Sequence, residues 1–288
     1  MKALFCVFSG TGNTLKVNGR LAEELKKYQI DTEIYNIRED SGECDFTDCD
    51  LLIVGYPVHA FNAPAAVIKF LKKLPKSDKI PAYIVRVSGE PLRLNDAAGI
   101  TPKRILKKRG FDVRGEYSYV MPYNIIFHHT DKMAARMWRA AELRITNDAK
   151  EIAEGGGKRR KNNIFRRFVA FVLRIEHTAM PLIGRHFKYT DNCVGCGICA
   201  GKCPQSNIKM VDGKPVFGKN CVGCMACSFS CPRDALKISC LNGWRVNGGY
   251  SFDGEIADDG EVCDYCKKAY LKYFHESEAL DNGVENNT

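Results

Sequence analysis

The 288-residue sequence contains no run of 18 or more apolar residues, so no transmembrane helix is expected. Met1-Lys2 leads directly into a short apolar segment with no small-residue cleavage site behind it, so a secretory signal is not expected either. Evenly spread charge is also lacking. The formal net charge is +9, yet residues 155–190 alone hold nine Lys+Arg against one Asp+Glu, while residues 191–288 hold ten against thirteen. Basicity confined to one short segment does not argue for a nucleic-acid partner. No acid–base pair stands at a spacing that would mark a hydrolytic or isomerising centre.

Hydrophobic residues make up 45% of the chain and there are 14 cysteines. The length suggests about two domains, and the composition is sufficient for a packed core. Eight cysteines fall within Cys193–Cys231 in two regular sets, which is metal-ligand spacing and not a scattered disulfide framework. Thiols in that number need a reducing compartment, so a cytoplasmic and anaerobic setting is expected.

Over residues 1–154, strand and helix patterns alternate. Lys2–Phe8 is continuously apolar, as befits a parallel strand covered on both faces. Val17, Leu21, Leu25 and Tyr28 then share a helical face. Asp31–Ile37, Leu51–Tyr56, Ala82–Val87 and Tyr117–Met121 read as four more strands. Between them, Ala63-Pro64 opens a helix with Val67, Ile68, Leu71 and Leu74 inward, and Thr101-Pro102 reads as cap plus first helical residue of another. Met137, Trp138, Ala141, Ile145 and Ile152 mark a last helix, ended by Gly155-Gly156-Gly157. Five strands interleaved with helices imply an α/β, doubly wound parallel sheet.

Residues 155–190 read as a connector that starts flexible and basic and then becomes helical. Ile164, Phe168, Phe171, Val172 and Ile175 share one face, with Arg166, Arg167 and Arg174 off it. A bridging helix that buries this face in protein is the favoured expectation. Contact of 158–176 with a membrane surface, or with an acidic partner, is the alternative. Residues 191–240 hold a gapless repeat, "NCVGCGICAGKCPQSNIKM" from Asn192 and "NCVGCMACSFSCPRDALKI" from Asn220. Residues 241–288 form an acidic extension with four Lys+Arg against ten Asp+Glu, its end at Asp281–Thr288 expected to fray.

Phe5–Thr14, "FCVFSGTGNT", runs from a buried strand into a loop and a helix, a ready anion cradle. A triphosphate loop requires GxxxxGK[ST], and no such Lys follows Gly10 or Gly12. The dinucleotide fingerprint requires a third glycine where Leu15 stands. What remains is a single phosphate ester, held by Ser9, Thr11 and Thr14 hydroxyls and the Asn13 amide, with Gly10 and Gly12 leaving room for the backbone. "SGTGNT" after the first strand resembles the phosphate loop of flavodoxins. The resemblance implies FMN, the strand order 2-1-3-4-5, and a flavin ring at the carboxyl ends of the third and fourth strands. Those loops are Pro57-Val58-His59-Ala60-Phe61-Asn62 and Ser88-Gly89-Glu90-Pro91-Leu92. His59, Phe61 or Tyr123 are candidates to stack on the ring. The sequence departs from many flavodoxins in lacking a Trp in the first loop and a Tyr-bearing acidic second loop.

Cys193-x2-Cys196-x2-Cys199-x3-Cys203-Pro204 is the bacterial ferredoxin run, and Cys221-x2-Cys224-x2-Cys227-x3-Cys231-Pro232 repeats it. Three cysteines wrap one cubane and the fourth crosses to the neighbour. One [4Fe-4S] cluster is therefore expected on Cys193, Cys196, Cys199 and Cys231, the other on Cys221, Cys224, Cys227 and Cys203. A zinc reading exists for any CxxC, but paired zinc sites do not need so dense a run twice. Cys6 reads as a core residue and Cys44 and Cys49 as loop residues. Cys263-Asp264-Tyr265-Cys266 is a third CxxC. With Cys240 it makes either a three-thiolate or zinc site, a reversible dithiol, or ordinary thiols.

A flavin loop followed by a two-cluster run resembles the flavodoxin–ferredoxin fusion proteins of anaerobic bacteria and archaea, and Met121–Asn124, "MPYN", resembles that group as well. The resemblance implies a flavodoxin-like domain, then a small α+β ferredoxin-like domain, and electron transfer between redox protein partners through FMN and two clusters. Two other functions fit the same residues. One is an FMN-dependent reductase of a small molecule, with His59, Tyr123 or His128 as proton donor. The other is a redox-sensing or scaffold protein whose clusters are structural.

Overall fold

The computed structural model describes residues 1–160 and 162–285. The chain begins with β1 (Lys2–Val7), α1 (Asn13–Lys26), β2 (Asp31–Asn36), β3 (Leu51–Pro57), α2 (Ala65–Lys73), β4 (Pro81–Ser88), α3 (Ile100–Lys108), β5 (Asp112–Val120) and α4 (Asp131–Ala153). All five strands pair in parallel, in the order β2-β1-β3-β4-β5. This is the flavodoxin-like doubly wound sheet expected from the alternation of patterns. Because β1, β3 and β4 are covered on both faces, nearly every residue in them is buried. On one face Val17, Leu21 and Leu25 of α1 meet Ala141, Ile145 and Ile152 of α4. On the other, Val67 and Leu71 of α2 meet Leu106 of α3. The edge strand β2 alternates exposed and half-buried residues, with Asp31 and Glu33 facing outward, which discourages pairing with another chain.

Several local expectations shift. Tyr28 lies beyond α1 and is exposed, not part of its buried stripe. Pro64 precedes α2 by one residue. A 3-10 helix over Arg93–Gly99 runs straight into α3, so Thr101-Pro102 is already helical and not a cap. The triple glycine is packed: a Cβ on Gly157 would lie 2.6 Å from the Arg114 carbonyl oxygen, and the Glu116 N–H donates to the Lys158 carbonyl at 2.9 Å. Small residues are needed there because the chain runs back along β5.

Next come α5 (Ile164–Leu173) and α6 (Glu176–Gly184), then β6 (Lys188–Tyr189), α7 (Ile198–Lys202), β7 (Ile208–Val211), β8 (Lys214–Phe217), α8 (Ala226–Phe229) and β9 (Leu236–Lys237). The cysteine-rich part is small and holds two two-stranded antiparallel sheets, β6-β9 and β7-β8, around a core of Phe187, Ile208, Met225, Leu236 and Ile238. The two cysteine runs repeat in backbone as well as in sequence. Gly195 and Gly223 both take φ near +70°, and Ser206 and Asp234 both take φ near +47° (69° and 68°; 46° and 47°).

The favoured packing of the connector is not what forms. In α5 only Ala170 is buried, while Ile164, Phe165, Phe168, Phe171, Val172 and Ile175 stand exposed. Ala170 can approach the body because it has no bulk, and Asn62 Nδ2 donates to its carbonyl at 2.9 Å.

The extension contains α9 (Lys267–Glu285), which sequence reading did not anticipate. Tyr270, Tyr273 and Phe274 pack on Met133 and Met137 of α4. Its carboxylates answer arginines of α4: Glu278 with Arg136 at 3.2 Å, Glu276 with Arg144 at 3.3 Å and Asp281 with Arg139 at 2.9 Å. The fraying expected over Asp281–Thr288 falls partly on a helix that continues to Glu285 and partly outside the described residues.

Candidate functional site

β1 ends at Val7 and α1 begins at Asn13, so Ser9–Thr14 fills the crossing at the carboxyl edge of the sheet. No acidic residue sits in the first turn of α1, which leaves the positive end of its dipole uncompensated. Ser9 Oγ accepts from the Gly12 and Leu15 N–H groups at 3.2 and 3.3 Å, which leaves its own hydroxyl hydrogen to point outward. Asn13 Nδ2 donates to the Pro122 carbonyl at 2.9 Å, tying the loop to the segment after β5. Gly12 adopts φ 100° at the cap of α1, a left-handed conformation that glycine takes without steric cost.

This loop opens on a cleft of about 470 Å³, within the usual range for small-molecule sites. Ser9, Gly10, Thr11, Asn13, Thr14, Pro57, Val58, His59, Ala60, Ser88, Gly89 and Glu90 all line it, with Phe61 and Tyr123. Of the Ser9–Thr14 residues, Gly12 alone shapes the loop without lining the cleft; Asn62, Pro91, Leu92 and the proton-donor candidate His128 do not line it either. A single-phosphate ligand with a planar ring fits this set: small hydroxyl and amide donors at one end, apolar walls and loop backbone at the other.

Sequence reading missed the lid of the cleft. Glu176, Ala179, Met180 and Ile183 of α6 close one side, Gly223 and Met225 of the second cysteine run another, and Leu241, Trp244 and Tyr265 the rest. Nothing in local periodicity announces such walls, since each comes from a segment far along the chain. The ring candidates are also committed to neighbours. Tyr123 stacks on His129 with centroids 5.5 Å apart and donates its hydroxyl to Glu90. His59 Nδ1 lies 3.5 Å from Glu176 Oε1. Gly89 has to be glycine, because a Cβ there would run into the Tyr123 ring.

Burial raises the Glu90 carboxyl above the ordinary range, opposed in part by hydrogen bonds from Tyr123 and Asn95. Burial and the Glu90 charge raise the Tyr123 hydroxyl far above its usual value. His129 moves the other way, lowered to about 4 by burial and by His128.

The structure places the cysteines of the two runs in two neighbourhoods. Cys193, Cys196, Cys199 and Cys231 line one cavity, flanked by Pro232 and Leu236. In the second set, Cys221, Cys224 and Cys203 all act electrostatically on the Cys227 thiol. Burial raises Cys221 to about 11, Cys224 to about 12 and Cys227 well above its usual value, so ligation by these thiols would release protons. The fourth cysteine of each run has the same backbone donor: Asn207 N–H to Cys203 Sγ and Ala235 N–H to Cys231 Sγ, both at 3.3 Å. Among the described residues, no three His, Cys, Asp or Glu side chains converge closely enough to hold a metal ion. Cys240 is exposed and does not join Cys263 and Cys266 in such a group. Those two are half-buried against the Tyr270 cluster.

Cys224 of the second run packs against the Ser9–Thr14 loop. A Cβ on Gly10 would lie 2.6 Å from the Cys224 carbonyl oxygen and 2.8 Å from its Cβ. Asn124 Nδ2 bridges the two parts, 3.4 Å from Thr11 Oγ1 and 3.3 Å from the Cys224 carbonyl. A second latch joins the loop after β2 to the first run: Arg38 Nη2 donates to the Gly201 and Cys203 carbonyls at 3.1 and 3.4 Å, and the Glu39 N–H to the Pro204 carbonyl at 2.8 Å. Helix α6 presses on Cys221 through Gly184, where any Cβ would meet that side chain.

A scan against protein-family models finds no match, and no curated protein matches significantly. Solved structures do match. The Streptococcus pneumonia TIGR4 flavodoxin is 16% identical, covering 54% of this chain and 99% of its own, with a TM-score of 0.42. Flavodoxin 1 from Bacillus cereus is 14% identical, covering 54% and 98%, with a TM-score of 0.40. The NAD(P)H:quinone oxidoreductase from Methanothermobacter marburgensis is 10% identical, covering 57% and 98%, with a TM-score of 0.40.

Proposed function

We propose that this chain is an electron-transfer protein that holds FMN in the cleft above Ser9–Thr14 and one [4Fe-4S] cluster on each crossed cysteine set, relaying electrons between redox protein partners. The observation that carries the reading is the contact of Gly10 with Cys224. The phosphate loop and the second cysteine set share a wall, so the two candidate sites belong to one device. FMN exchanges one or two electrons and each cluster one.

The chain's own residues account for the coupling. Gly10 allows backbone-to-backbone approach, Asn124 fixes it, and α6 covers both the cleft and Cys221. The set on Cys203, Cys221, Cys224 and Cys227 is the one next to the cleft, and the set on Cys193, Cys196, Cys199 and Cys231 is the outer one. Backbone donors on Cys203 and Cys231 act on potential by stabilising charge on sulfur. Purification under argon is expected to give iron, acid-labile sulfide and FMN at ~8:8:1, with flavin and cluster absorption in one spectrum. Stoichiometric zinc without sulfide would overturn the assignment.

The buried Glu90–Tyr123 pair favours a second reading, an FMN-dependent reductase. The Tyr123 hydroxyl, held by Glu90 at the cleft wall, would serve as the proton donor. Turnover of a small organic acceptor that collapses in Glu90→Gln while the visible spectrum stays intact would select it over the carrier.

A further inference from the structure

Six large apolar side chains, Ile164, Phe165, Phe168, Phe171, Val172 and Ile175, are between 49% and 85% exposed on and just after α5. At 3.6 residues per turn they fall within an arc of about 120°, opposite the buried Ala170. The helix thus stands as a ridge, fastened by its small residue and by Asn62 and showing its bulk outward. Solvent alone does not favour such a surface.

The ground beside this ridge is cationic. One groove is lined by Lys103, Arg104, Lys107, Lys108, Arg160 and Arg167, with no carboxylate. The adjoining one carries Lys72, Arg104, Lys108, Arg109, Arg174 and His177, again with no carboxylate. Two buried acids lie beside them and are already paired: Glu116 with Lys103 and Arg86, and Asp96 with Arg86 at 3.2 Å, with Arg160 and Arg166 at 4.0 Å. No helix of the described residues is long and apolar enough to cross a membrane.

We propose that α5 and the lysine- and arginine-lined grooves beside it dock the protein on an anionic lipid surface, with Phe165, Phe168 and Phe171 entering the headgroup layer. A second copy of the chain is the poorer occupant, because apposing two such faces would bring like charges together. An acidic protein would satisfy the cations, but a convex ridge of phenylalanines needs a yielding apolar medium. Docking is independent of what the cleft and cysteines hold.

The test is co-sedimentation of the full chain with vesicles of phosphatidylcholine, with and without phosphatidylglycerol. Binding is expected to the anionic vesicles, to weaken as salt is raised, and to be much weaker on phosphatidylcholine alone. The triple variant Phe165→Ser/Phe168→Ser/Phe171→Ser is expected to bind at least about tenfold more weakly, with an unchanged melting curve because the replaced side chains are exposed. Lys107→Gln/Lys108→Gln is expected to lose the preference for anionic lipid. No binding of the parent chain to anionic vesicles overturns the proposal. So does self-association that the triple variant abolishes without affecting vesicle binding, or binding to polyglutamate with none to vesicles.

Discussion

Replacing Gly10 by Ala tests whether the phosphate loop and the second cysteine set are mechanically one unit. The new Cβ would sit 2.6 Å from the Cys224 carbonyl oxygen and 2.8 Å from its Cβ, where ordinary contact begins at 3.4 Å. One side must therefore yield by roughly 0.6–0.8 Å. Neither side is the free end of a flexible chain, since both are anchored by Asn124. Overpacking of this kind costs about 1–3 kcal/mol. Expressed wholly in FMN binding, that is a loss of about 5- to 150-fold in affinity. Flavin fluorescence titration of deflavinated protein measures it, with iron content determined in parallel to detect a displaced Cys224. Gly19→Ala is the control: it lies in α1 with nothing within 4 Å, and it is expected to stabilise by up to about 1 kcal/mol. Gly10→Ala binding FMN as tightly as the parent, with full iron, would refute the shared-wall argument.

Other outcomes follow from the same geometry. Cys203→Ser is expected to remove the cluster beside the cleft and Cys231→Ser the outer one, each leaving about half the iron; EPR of the reduced variants distinguishes the crossed from the uncrossed assignment. Glu116→Gln leaves Arg86, 1% exposed, and Lys103 without their shared carboxylate, so a loss of about 3 kcal/mol is expected in urea unfolding. His129 has its pKa lowered from 6.5 to about 4 in the fold. A depressed base stabilises the fold above its unfolded value and loses that contribution as pH falls from 6.5 toward 4, here about 3 kcal/mol. Thermal melts of His129→Gln across that window should show a flatter acid limb than the parent.

Some of the molecule was legible because its physics is local. Continuous apolar strands, helical stripes and glycines at a strand end imply the doubly wound sheet, because burial on two faces leaves no charged position in β1 after Lys2 or in β3. The two cysteine runs were legible too, since their spacing is plain in the chain. Periodicity could not say whether the apolar face of α5 would find a partner. An amphipathic stripe is the same whether it is buried or bare, and only the approach of Ala170 to Asn62 turned it outward. Nor could it show that Cys6 and Cys44 bring their sulfurs within 3.7 Å, since 38 residues of chain separate them. Sequence by itself determined the sheet and singled out the Ser9–Thr14 loop and the two cysteine runs, each marked by short-range sterics and residue spacing. Tertiary structure decided that Cys224 lies against the Ser9–Thr14 loop, that α6 and Tyr265 roof the cleft, and that α5 turns its apolar face outward. These depend on long-range packing between segments whose local patterns do not name their partners.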